Sequence, residues 1–133
     1  MKRNDPEFAA GFVRKAEHDW EAASRGLEHD LPLDTICFHI QQCAEKLLKA
    51  LLACRGLDYP FTHDLEELLK LATPHYPSLQ EFLYSLPDYT DFAVAMRYDD
   101  SMYPTREETE EALETVRRLR TIVHDLLPPE ARP

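Results

Sequence analysis

A chain of 133 residues, 44% apolar and 30% charged, has the balance of a folded protein and enough length to bury one core without disulfides or a metal. Its net charge of -10 opposes general adsorption to polyanions, because nucleic-acid affinity rests on Lys and Arg displacing counterions. No DNA partner is expected, and any RNA contact must be local. No apolar run approaches the roughly 18 residues that span a bilayer, and the start Met1-Lys2-Arg3 leads into an amphipathic pattern rather than a signal core, so a cytoplasmic protein without a membrane partner is expected.

Only three glycines occur, too few for the turns of a many-stranded fold, so helix is the default. Asp5 is placed to cap a first helix with Pro6 at its first position. Phe8, Phe12, Ala16, Trp20, Ala23 and Leu27 then recur at steps of three and four as a buried stripe. Glu28-His29-Asp30-Leu31-Pro32 breaks the pattern, and Asp34 is placed to cap a second helix.

That second helix, Thr35 to Arg55, carries a broad apolar arc that includes Ile36, Ile40, Leu47 and Leu51, so it packs on more than one side. Cys37, Cys43 and Cys54 lie in this segment without a CxxC pair and read as buried, reduced helix residues. Gln42, Glu45 and Lys49 occupy the opposite face, with Lys46 at its edge, and Gly56 closes the helix. Asp64 and Glu67 make a capping pattern for a short helix, Leu65 to Ala72, ended by Pro74 and Pro77. Ser78 to Met96 reads as one helix kinked at Pro87 or two short ones. After the polar loop Asp99 to Pro104, Thr105 and Glu108 form a capping box for a long last helix, whose core stripe is Ala112, Val116, Leu119, Val123 and Leu126. The expected fold class is all-α, an antiparallel up-and-down bundle of four to five helices, with residues 1–133 as one domain.

The run Phe38-His39-Ile40-Gln41-Gln42-Cys43-Ala44-Glu45-Lys46-Leu47-Leu48-Lys49-Ala50-Leu51-Leu52 matches the pattern FxxQQxAEKxLKAxL. With Thr62-His63-Asp64-Leu65 and Arg97-Tyr98 in register, the chain resembles the HEPN family, the nucleotide-binding domain shared by higher eukaryotes and prokaryotes. The resemblance implies a helical bundle that commonly forms homodimers and often works beside a minimal nucleotidyltransferase in toxin–antitoxin pairs. Some members are metal-independent ribonucleases; others are treated as nucleotide-binding or scaffolding modules.

The nuclease subgroup is marked by an Arg and a His with four to six residues between them, usually with a polar residue just after the Arg. There His takes a proton from a ribose 2′-hydroxyl, while Arg stabilises charge developing on the phosphate. Arg117, Arg118 and His124 offer the spacing, although Leu119 and Arg120 come after Arg118 where the pattern has a polar residue. On an ideal helix Arg117 lies about 20° from His124 in projection and Arg118 about 120°, so Arg117 shares the His face and Arg120 completes it. The same arginines also suit a solvated helix end: acidic residues open this helix, basic ones come toward its end, and Glu114 and Arg118 are spaced for an ion pair.

Gln42, Glu45 and Lys49 are candidates for binding a ligand or partner, or simply a favourable helical pair. Arg97 and Tyr98 stand where an Arg grips phosphate or pairs with Asp99 and Asp100. His63 is either a loop tether or part of a polar site with Arg97. No glycine-rich phosphate loop is present, so Walker and Rossmann sites are excluded, and no metal or cofactor is expected. Nucleotide or RNA remains as a ligand class.

Overall fold

The computed structural model describes residues 6–133; the capping role of Asp5 lies outside them. Helix α1 (Pro6–Glu28) packs along α2 (Leu33–Cys54), and the last long helix lies against α2 from another side. Between them come α3 (Leu65–Ala72), two 3-10 helices (Pro77–Tyr84 and Leu86–Phe92) and the single turn α4 (Ala95–Tyr98). The closing helix α5 (Arg106–Leu126) leads into a 3-10 turn, Pro129–Ala131. The result is an all-α antiparallel up-and-down bundle, and among the described residues no strand occurs.

Helix α2 is the central element because its apolar arc is wide enough to meet α1, α3 and α5 together. Ile36, Ile40, Leu47, Leu48, Leu51 and Leu52 are all enclosed. The α1 stripe is rotated from the sequence reading in its first turns. Ala9 and Val13 enter the core there, Phe8 is exposed, and Phe12 packs at the edge against Phe8 and Tyr59 with ring centroids 5.5 and 5.7 Å away. Small residues let α1 approach α2 closely, and the two phenylalanines stay at the margin. In α5, Ala112, Val116, Leu119 and Val123 are buried as expected, while Leu127 takes the enclosed place anticipated for Leu126.

The helix ends account for most of the boundaries. Asp64 caps α3, accepting from the backbone N–H groups of Glu66 at 3.0 Å and Glu67 at 3.3 Å. Thr105 and Glu108 form the reciprocal capping box of α5, with bonds of 3.0 and 2.8 Å. Gly56 sits at φ 69°, and its N–H reaches Ala53 while Leu57 reaches Leu52, both at 3.0 Å. This crossed pair satisfies the last carbonyls of α2 and requires a left-handed residue at position 56.

Two boundaries differ from expectation. Helix α2 begins at Leu33, so Asp34 lies inside its first turn; the Leu33 N–H is satisfied instead by Tyr103 Oη at 2.9 Å, from the loop before α5. The stretch read as one kinked helix or two short ones is two 3-10 helices and a turn of α-helix. Pro77 and Pro87 each sit in the first turn of a 3-10 segment, where a missing N–H is tolerated. Among the described residues no helix is long and apolar enough to cross a membrane.

Candidate functional site

The polar residues of α2 form an inward-facing cluster. At steps of four, Gln41, Glu45 and Lys49 share one face of the helix. That face lies beneath the loop entering α3, so Glu45 and Lys49 are only 5% and 9% exposed. This corrects the placement of Glu45 and Lys49 on a face away from the core. Glu45 accepts from Lys49 Nζ at 2.9 Å and is bonded to His63 Nδ1 at 2.8 Å. Gln41 Nε2 donates to Glu45 at 3.2 Å and to the His63 carbonyl at 2.9 Å, and Gln42 Nε2 donates to Gln41 Oε1 at 2.8 Å. Burial alone would raise the Glu45 carboxyl, but the bonds from His63 and Lys49 outweigh it and hold the group below the usual carboxylate range.

The cluster therefore tethers the Thr62-His63-Asp64 turn to α2. Gln41, fully buried, was absent from the candidates read from sequence. Its signal was the same four-residue step that links Glu45 to Lys49. A second tether missed from sequence joins α1 to α2: buried Asp19 accepts from Lys46 Nζ at 2.6 Å and is bonded to His39 Nδ1 at 2.9 Å.

On α5 the helical projection holds. Arg117 and Arg120 lie over the Trp20 ring, 5.0 and 4.5 Å from its centroid. His124 shares their side, its Nε2 3.9 Å from Glu17 Oε2 and without a hydrogen-bond partner among the described residues. Arg120 grips Glu17 bidentately at 2.8 and 2.5 Å. That hydrogen bonding lowers the Glu17 carboxyl and raises the Arg120 guanidinium. Arg118 points elsewhere, to Glu81 and the Phe82 ring. The expected pair of Glu114 with Arg118 is replaced by Glu114 with Arg117 at 3.1 Å, since Glu81 claims Arg118.

Arg97 lies 4.5 Å from the Phe38 ring centroid and 5.7 Å from that of Tyr98. Asp99, offered from sequence as its partner, instead accepts from the Ser101 N–H at 3.0 Å and Oγ at 2.7 Å. His63 bonds to Glu45, which makes it the loop tether. Burial pushes the Cys37 thiol up to about 11 and Cys43 further still, so neither is a thiolate nucleophile near neutral pH.

A helical bundle with a Gln-Gln-Glu-Lys cluster anchoring a Thr-His-Asp turn, and an Arg/His face on its last helix, defines an all-α domain of the HEPN class. The HEPN domain model matches residues 9–126, and the chain belongs to the HEPN family. It is 25% identical over 137 aligned positions to the protein named "Putative toxin MJ1304" of Methanocaldococcus jannaschii, covering 91% of this chain and 89% of that one. Its fold is similar to the crystal structure of TT1696 from Thermus thermophilus, with TM-score 0.77, 24% identity, and coverage of 94% of this chain and 98% of that one.

Proposed function

We propose that this chain is one HEPN domain, residues 1–133, acting as a homodimeric interaction module that pairs with a minimal nucleotidyltransferase in a toxin–antitoxin system, without cutting RNA. The observation that carries this reading is that Arg117, Arg118 and Arg120 each already face a carboxylate of the same chain: Glu114, Glu81 and Glu17. A phosphate entering the face of Arg117, Arg120 and His124 would have to displace Glu114 and Glu17, most expensively at the part-buried Glu17–Arg120 pair, and Arg118 is turned away from it toward Glu81. The toxin name of the archaeal relative supports the toxin–antitoxin setting.

Nucleotide would meet this module at Arg97 and Tyr98. The Tyr98 ring is largely exposed, and Arg97 has no ion-pair partner among the described residues, which leaves a stacking surface beside a guanidinium. Light scattering of the purified protein, with and without a co-expressed minimal nucleotidyltransferase, tests the proposal together with titration by ATP. A dimer that retains the nucleotidyltransferase is expected. A strictly monomeric protein that ignores both would end this reading.

One observation favours a second reading, a metal-independent ribonuclease toxin. Arg117, Arg120 and His124 share a face beside Trp20. There His124 would take the 2′-hydroxyl proton and Arg117 would stabilise the phosphate, with two copies facing across a dimer.

A further inference from the structure

A groove of about 450 Å³ runs between the 3-10 helix Leu86–Phe92, the loop before α5 and the first turns of α5. Its lining includes buried Phe92 and half-buried Met96, exposed Tyr84 and Tyr103, and the acidic residues Asp88, Glu108 and Glu111. The aromatic lining is held in place. Tyr89 stacks on Phe92 with centroids 5.2 Å apart and donates to Thr115 Oγ1 at 3.2 Å, while Tyr103 Oη accepts the Leu33 N–H. Tyr84 stands at the mouth, 92% exposed, an unusual position for so large a ring.

Two of the three carboxylates of the groove, Asp88 and Glu111, are uncompensated, while Glu108 accepts from the Thr105 N–H at 2.8 Å in the capping box of α5. Elsewhere along α5, Glu110 pairs with Arg106, Glu114 with Arg117, and Arg118 reaches Glu81. Among the described residues no basic side chain pairs with Asp88 or Glu111. Carboxylates beside aromatic and apolar side chains suit a planar cation on an apolar stem: the stem lies on Phe92 and Met96, and the guanidinium meets the rings and the carboxylates. Exposed Tyr84 extends the apolar surface beyond the cavity, so the residues flanking such a cation would be covered too, which a small free amine does not do.

We infer that this groove receives an arginine-bearing segment of a protein partner. Glu111 lies about 120° around α5 from Arg117 at 100° per residue, so this surface is separate from the Arg/His face and does not rest on the function proposed above.

The test is a titration of the isotopically labelled full chain with a capped peptide, acetyl-Gly-Leu-Arg-Leu-Arg-Gly-amide, monitored by NMR at about 0.15 M salt, where exposed charges are well screened. Saturable shifts confined to the groove are expected. Glu111→Gln and Tyr84→Ala should each weaken binding about three- to tenfold, whereas Glu107→Gln, outside the groove, should not. Both groove positions are exposed, and unchanged amide spectra away from the groove establish that the variants are folded. The inference is overturned by absence of saturable binding, by wild-type affinity in Glu111→Gln and Tyr84→Ala, or by spermine binding the groove as tightly as the peptide. The last result would make it a site for small polyamines.

Discussion

Replacing Glu45 with leucine removes the carboxylate bonded to Lys49, whose side chain is 11% exposed. An ammonium left at that depth without its counter-charge costs about 3–5 kcal/mol, most of it desolvation that the 2.9 Å contact had offset. The double variant Glu45→Leu/Lys49→Met removes both charges and should lose only about 1–2 kcal/mol, because nothing charged then remains buried. His63→Ala should cost about 1 kcal/mol or less, since that ring is 59% exposed and solvent already screens it. Urea unfolding at pH 7, monitored by circular dichroism, separates the cases, and in a thermal scan the single Glu45 variant should melt about 10–20 °C lower. A cost under about 1 kcal/mol for Glu45→Leu, or a double variant no better than the single, would refute the Glu45–Lys49 contact as a buried ion pair whose broken half is costly.

Acid should weaken the fold through Glu45 and Glu17, both held below their ordinary value of 4.5. Since the folded values are the lower ones, their stabilisation is complete above about pH 4.5 and fades as pH falls through the folded values. Melting temperatures from pH 7 to pH 3 should drop below that point, and less steeply in the Glu45→Leu/Lys49→Met background. Arg120→Met leaves Glu17 part-buried without its bidentate partner and should cost about 1–2 kcal/mol, measurable by the same urea titration, while Arg118→Met, on exposed Glu81, should cost under about 1 kcal/mol. Gly56→Ala forces a side chain to φ 69° and should lower stability by about 1 kcal/mol, whereas Gly11→Ala, with its added methyl no closer than 3.9 Å to its neighbours, should not.

The range of each interaction decides whether it is legible in the sequence. The Asp64 cap, the Thr105–Glu108 box and Gly56 are local, so a few adjacent residues suffice to locate the ends of α3, α5 and α2. The start of α2 was misplaced because its first N–H is satisfied by Tyr103, 70 residues away. Residues 77–92 carry helical periodicity, but proline-led turns with three-residue bonding share enough of that spacing to be mistaken for α-helix. A helical projection marks Glu45 and Lys49 as polar; it carries no information about a loop folding over them. For the Arg/His face, projection correctly grouped Arg117 and Arg120 with His124, yet the partners Glu17 and Glu81 come from distant segments. Those carboxylates decide how available the arginines are to a phosphate.

Cleavage of a mixed RNA substrate by the wild-type and His124→Ala proteins, side by side in EDTA, tests the non-cleaving reading most directly. With its arginines held by Glu114, Glu81 and Glu17, the wild type is expected to leave the RNA intact, as is the variant. Cleavage by the wild type that disappears in His124→Ala would contradict that reading and establish a metal-independent ribonuclease.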